Sequence, residues 1–411
     1  MSENIFSHIP VFFREKVEEL FDINRQYSEK YLADLDSLDL YKAEHPTQVI
    51  VFKCSDGRLM VSRFAEMPLG FLETFRNLGG KFNWGWNGLN ESVKGLIRDG
   101  YIKFLERRSL QSIDEQLRLM AKRQNLLDSL RCSEKNYKQG GNTELLKQVE
   151  FSTLIICTYH FSRGDNKTRG CKASNFDIEQ SIRDAKGFRM NIEKAYQGSR
   201  HKVFAIVFGM DTDDEFFVLH GENGQKRDLA NQPENVSVGE LFALICELYP
   251  SMSLQMKLDL LPILQGNIKH GSAIRKSKRP IEEMTHGEWI LGICKSRPSE
   301  SITVPNTAVL VGLLNPELSK VIRIGLDVIK PNAPKGFLLL TAACYGGDET
   351  ETSARQEAKY YSRLAMEQAS EYRSPDSGWY PELKKFMYPL PLLVNNETKL
   401  FEMIRPRKKN H

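Results

Sequence analysis

The run Gln48-Val-Ile-Val-Phe-Lys53, followed at once by Cys54-Ser-Asp-Gly-Arg58, decides how the rest of the chain is read. A short stretch of β-branched and aromatic residues, entered through His45-Pro46-Thr47 and left through a polar loop with a glycine, is a buried strand. That strand delivers a thiol, a carboxylate and a guanidinium to its carboxyl end. Thr153-Leu-Ile-Ile-Cys-Thr158 repeats the pattern and runs straight into Tyr159-His160, while Lys202–Gly209 and Glu215–His220 are two more strands.

Strands alternating with helical stretches make residues 46–225 an α/β domain around a mainly parallel sheet. Ahead of it, residues 1–45 place Phe13, Val17, Leu20 and Phe21 at helix spacing and read as a helical arm. Residues 106–148, rich in charge and leucine, read as a helical insertion that ends in the loop Lys138-Gln-Gly-Gly-Asn142. After Pro233 the pattern is helical from Val238 to Leu264, then a basic loop Ile274–Pro280, then strands at Trp289–Ile293, Thr307–Val311 and Gly336–Thr341. Residues 226–411 are therefore expected to form a second α/β domain.

The chain has 411 residues, 41% of them hydrophobic and 27% charged, which is the composition of a soluble protein with more than one core. No stretch approaches the roughly 18 consecutive apolar residues of a membrane span. The N-terminus lacks the apolar core and cleavage site of a secretory signal, so a cytoplasmic location is expected. With 57 basic against 53 acidic residues, the net charge of +4 gives no case for a nucleic-acid partner. The basic tail Arg405–His411 reads as a solvated terminus. Seven scattered cysteines, Cys54, Cys132, Cys157, Cys171, Cys246, Cys294 and Cys344, favour thiols or metal ligands over a disulfide framework.

Cys54 and His160 each stand where a buried strand ends, and parallel sheets gather their active sites at the carboxyl ends of strands. Cys171 follows His160 across a polar loop able to fold back. Two sulfurs and one nitrogen suit zinc, and three protein ligands leave a fourth position for water. Each residue alone has a plainer reading, a buried thiol or a hydrogen-bonded loop histidine, and no CxxC pair or HExxH motif adds weight. Arg163 and Asp165, inside the polar loop, read as loop-shaping residues, and Trp84 and Trp86 as core or interface aromatics.

An internal echo pairs Leu154–Asp165 with Phe337–Asp348, both an apolar strand leading to Gly-Asp; aligned there, His160 falls opposite Ala343.

Cys54-Ser-Asp-Gly-Arg58 at a strand end resembles the Cys-x-Asp-x-Arg zinc motif of β-class carbonic anhydrases. The Cys-Ser-Asp-Gly-Arg form, with the long gap from His160 to Cys171, resembles the carboxysomal shell carbonic anhydrases in particular. The resemblance covers about 46–225 by motif and the whole chain by order of parts. It implies a β-carbonic-anhydrase-like catalytic domain, a degenerate second domain over 226–411 without metal, and one Zn2+ per chain held by Cys54, His160 and Cys171. It also implies reversible hydration of CO2 to bicarbonate and a proton by zinc-bound hydroxide, with Asp56 orienting the hydroxide and Arg58 holding Asp56. A homodimer follows from the same likeness, as do the carboxysome as a location and its shell or rubisco as partners. The chain departs from the family in a short N-terminal part and in a long interval between Cys54 and His160. A zinc-binding but inactive scaffold is the alternative; a zinc hydrolase or deaminase would want an acidic base beside a histidine ligand, which is lacking.

Overall fold

The computed structural model describes residues 9–133, 149–164, 170–279, 287–294, 308–312, 318–332, 336–347, 349–371 and 386–404. In chain order its elements are α1 (Val11–Ala33), α2 (Leu35–Glu44), β1 (Thr47–Cys54), α3 (Val61–Phe64), β2 (Leu72–Asn77), α4 (Asn87–Leu110), α5 (Ile113–Ser133), β3 (Ser152–Phe161) and α6 (Ile178–Tyr196). There follow β4 (Lys202–Asp211), β5 (Phe217–His220), β6 (Lys226–Asp228), α7 (Val238–Leu248), α8 (Leu254–Ser277), β7 (Ile290–Cys294), β8 (Ala308–Gly312) and α9 (Leu318–Asn332). The last are β9 (Phe337–Tyr345), α10 (Glu351–Glu371), β10 (Met387–Asn395) and β11 (Phe401–Met403). The α/β class expected from the sequence is present as two mostly parallel sheets flanked by helices. Among the described residues no helix is long and apolar enough to cross a membrane.

The first sheet has the order β2-β1-β3-β4-β5-β6, with β1 to β4 parallel and β5 and β6 antiparallel to their neighbours. The second has the order β8-β7-β9-β10-β11, parallel except for β11. Over five strands the two share one order and one set of directions.

Continuous apolar runs in β1 and β3 follow from burial on both faces. Ile50, Phe52, Ile155 and Cys157 meet α4 and α6 through Val93, Leu96 and Phe188. Val49, Val51, Leu154 and Ile156 face the opposite way, onto Leu241 and Ile245 of α7 and Leu260 and Leu264 of α8. These two helices, part of the 226–411 stretch in the sequence reading, thus complete the first core, and the second sheet begins only at Ile290. The expected basic loop from Ile274 is instead the last turn of α8, which runs to Ser277; Pro280 lies outside the described residues. The second sheet is covered on one face by α9 and α10, and on the other by α1, whose Phe13, Val17 and Leu20 pack on Leu338, Leu340 and Leu390. The helical arm is therefore half of the second core.

The Gly-Asp alignment sets Ala343 opposite His160, and the packing does not support that match. Tyr159 lies on the α6 face of β3, so His160 lies on the other. Ala343 instead packs on Ala354 and Ala358 of α10, the helix that crosses from β9 to β10 as α6 crosses from β3 to β4. The face of His160 continues in β9 through Leu340, Ala342 and Cys344. A one-residue difference between the loops accounts for the slip, since strand period two sends neighbours to opposite faces.

Residues 106–110 are the end of α4, whose earlier turns build the core, and α5 is docked rather than loose. Its buried Arg123 donates to Asp259 at 2.9 Å, and Asp259 also accepts from the Thr47 amide at 3.0 Å. Burial pushes the Asp259 carboxyl up, but Arg123 and His45 outweigh it and hold it below the usual range. The loop Lys138–Asn142 lies outside the described residues.

Arg123→Met strands a buried carboxylate and is expected to cost about 3–5 kcal/mol in urea denaturation at neutral pH. Asp259 has its folded-state ionisation below the unfolded value of about 3.9, so its contribution is complete above that pH and is lost on acidification. The gap between wild type and variant should narrow as pH falls through that region; a constant gap would contradict the assignment.

Candidate metal centre

Strand β1 ends at Cys54 because the next residues close on themselves. The Arg58 amide donates to Asp56 Oδ1 at 2.9 Å, an Asx-type turn, and Leu59 N reaches the Asp56 carbonyl at 3.2 Å. Gly57 is required here: a Cβ on it would lie 2.4 Å from the Ala308 carbonyl oxygen in the second half. The same turn receives the Leu310 amide on the Ser55 carbonyl at 3.0 Å.

His160 is the ninth residue of β3 and reaches the same end of the sheet as Cys54. Cys171 arrives from the loop after β3 and opens a 3-10 turn, Lys172–Ser174, which Asn175 ends in the left-handed region. Phe176 N returns to the Cys171 carbonyl at 3.0 Å, and a Cβ on Gly170 would lie 2.5 Å from the Phe176 carbonyl oxygen. The turn is thereby locked with the sulfur facing inward, towards Cys54.

The two sulfurs stand 3.9 Å apart, and with a ring nitrogen of His160 they form a group whose donor atoms all lie within 4.8 Å of one another. All three residues are buried, at 4%, 5% and 6% exposure for Cys54, His160 and Cys171. His160 Nε2 is buried without a hydrogen-bond partner, a cost that a metal bond would remove. This buried group could hold a metal ion. Asp56 is not one of the three donors. Its Oδ2 takes Arg58 Nη2 at 2.7 Å, its Oδ1 takes Arg58 Nε at 3.1 Å, and Oδ2 lies 4.0 Å from His160 Nδ1.

Electrostatics favour one thiolate before the other. The Cys171 thiol is lowered by its contact with Cys54, against burial, with help from the Ala173 amide and Lys81. Cys54 is raised in turn, by the Cys171 sulfur and by burial. Burial pushes His160 down, but the charges of Cys54 and Asp56 outweigh it and the net movement is up. For Arg58, burial is likewise outweighed by Asp56, with Glu288 adding to the pull, so the guanidinium stays charged.

The five residues singled out in the sequence therefore converge, Cys54, His160 and Cys171 as donors and Asp56 with Arg58 as a pair alongside. Two contributors were not foreseen. Leu78-Gly-Gly80 carries Gly79 and Gly80 at positive φ and aims the Gly79 amide at Cys54 Sγ, at 3.2 Å; the doubled glycine was the available signal. Glu288, fully buried ahead of β7, acts on Arg58 from the second half, and nothing in its local sequence marks it. Arg163 shapes its loop as expected, bonding Asp211 at 2.6 Å and Asp228 at 2.6 and 2.8 Å. Asp165 lies outside the described residues. Trp84 is a core residue packed on Phe188.

Compared with known protein families and with curated proteins, the chain matches none.

Titrated with Co2+, the chain is expected to take up one ion and develop thiolate-to-metal charge-transfer absorption, absent in Cys54→Ala and in Cys171→Ala. Binding must displace protons from both thiols and leave His160 neutral, so affinity should rise with pH and protons should be released. Uptake by the double cysteine variant with unchanged affinity would contradict the site.

Proposed function

We propose that the chain is a zinc-dependent carbonic anhydrase of the carboxysomal, β-related kind, catalysing CO2 + H2O ⇌ HCO3⁻ + H⁺. Zinc is the metal the donor set fits. Two thiolates at about 2.3 Å from a tetrahedral ion stand roughly 3.8 Å apart, and Cys54 and Cys171 are 3.9 Å apart. Thiolate and imidazole together suit zinc by softness.

The observation that carries the enzymatic reading is that, among the described residues, the buried group has three donors and leaves Asp56 outside it, paired through both carboxylate oxygens to Arg58. A structural zinc site would close with a fourth protein ligand, whereas three leave room for water. When bound, zinc supplies Lewis acidity that lets a water ionise far below its ordinary pKa. The remaining work falls to the chain. Cys54, His160 and Cys171 fix the geometry, and the Gly79 amide steadies the Cys54 sulfur. Asp56, held by the Arg58 fork, can accept a hydrogen bond from a proton-bearing oxygen and so orient that oxygen towards CO2. Arg58 keeps Asp56 from turning inward to become a fourth ligand.

The likeness of the two sheets supports the same reading, since the carboxysomal family is built from two such halves with metal in one. Among the described residues only one group of metal-type donors is found, in the first half. The CO2 and bicarbonate partners, a dimeric assembly and a place in a carboxysome with its shell or rubisco rest on the resemblance carried by Cys54–Arg58 and the interval from His160 to Cys171.

Stopped-flow CO2 hydration, with zinc measured on the same sample, tests the proposal. Fast hydration with one zinc per chain is expected; Asp56→Ala and Arg58→Ala should keep the zinc and lose about 100-fold or more in kcat, the usual range for a group that handles a proton. One zinc with no hydration would leave the inactive scaffold, and no zinc would end the reading.

A further inference from the structure

At the opposite end of the first sheet, where β1 and β2 begin, lies a cavity of about 220 Å3. It is separate from the metal centre, which sits where those strands end. Ligand pockets for drug-sized molecules run from roughly 300 Å3 upward, so this one takes a smaller molecule. Its walls hold aromatic rings from five elements or loops, among them Tyr31, Phe71, Phe104 and Phe151, and its charged groups include Lys42, Lys103, Arg107 and Lys399 against Glu73 and Asp99.

Two of the four cations are already engaged. Arg107 pairs with Asp39 at 3.3 Å, and Lys399 lies over the Tyr31 ring at 5.3 Å and donates to the Asn396 carbonyl. Lys42 is the exception that matters. It projects from α2 into a half-buried position in the wall, where among the described residues its ammonium makes no hydrogen bond or close ion pair and Glu73 is the strongest attractive charge upon it. Partial desolvation of a charge is costly, Glu73 and Asp39 offset part of that cost, and the cavity beside the ammonium leaves space for a further anionic group.

We propose that this cavity is a binding site for a small aromatic carboxylate, with the carboxylate on Lys42, Lys103 and Arg107 adding positive field, and the ring among Tyr31, Phe71 and Phe151. Burial also pushes the Lys42 amine down to about 8, with Glu73 and Asp39 opposing that push and Arg107 and Lys103 adding to it. The site needs nothing from the metal, so its test stands apart from the hydration reading.

Isothermal titration of the full chain with benzoate, and with benzamide as the neutral molecule of the same shape, decides the matter. Benzoate is expected to bind saturably at one site and benzamide at least about tenfold more weakly, the usual worth of a charged partner. Lys42→Met should weaken benzoate by a similar factor while circular dichroism stays unchanged, and Glu73→Gln, which removes the opposing charge, should tighten it. Acetate binding as well as benzoate would overturn the aromatic part of the assignment. Absence of saturable benzoate binding, or equal binding by Lys42→Met, would overturn the site.

Discussion

The Ser55 carbonyl accepts the Leu310 amide at 3.0 Å, beside Gly57 pressed on the backbone of Ala308. Through this contact the second half of the chain holds the turn that carries Asp56 and Arg58. It fixes the angle at which β1 ends, and with it the position of Cys54. Replacing Gly57 by any residue with a Cβ would drive the halves apart, because the obstructing atom is a main-chain oxygen that has no side-chain freedom to yield. The second sheet, without a donor group of its own among the described residues, is thus a structural brace for the first. Glu288 extends the brace electrostatically by acting on Arg58.

The metal centre itself depends on loops closed by residues that cannot be large. Gly79 and Gly80 adopt positive φ, and a Cβ on Gly80 would lie 2.9 Å from the Thr158 carbonyl oxygen. This lets a backbone amide approach the Cys54 sulfur, while Gly170 lets the Cys171 turn close. The Gly79 amide on Cys54 and the Ala173 amide on Cys171 thus reach the sulfurs within an apolar cluster, with the Asp56–Arg58 pair alongside.

The sequence made some of this legible and hid the rest for physical reasons. Strands β1, β3 and β4 are apolar on both faces and stand out as runs, and the residue types at their ends point to a metal. Strand β2, Leu72-Glu-Thr-Phe-Arg-Asn77, went unread because its buried face carries Thr74 and Arg76, polar groups that only the folded contact with β8 makes sensible. Strand β10 was hidden by Pro389 and Pro391, which sit ahead of the Leu392–Val394 ladder with β11 and lack the amide that a ladder bond needs; Pro391 contributes its carbonyl instead, accepting from the Ile404 amide at 3.1 Å. Helix α8 contains Pro262 and is buried over much of its surface, so neither its length nor its partner sheet shows as a stripe. The contribution of Glu288 comes from across the chain, and no local pattern could announce it.

The central claim is a zinc ion bound by two sulfurs and one nitrogen, with the fourth position open to water while Asp56 stays on Arg58. X-ray absorption at the zinc edge, on the zinc-loaded chain and on Asp56→Asn, tests it most directly. The account predicts two sulfurs at about 2.3 Å and two lighter neighbours at about 2.0–2.1 Å, one of them imidazole, with the same spectrum in the variant. A shell of three or more sulfurs, or a lighter neighbour that changes in Asp56→Asn, would contradict it.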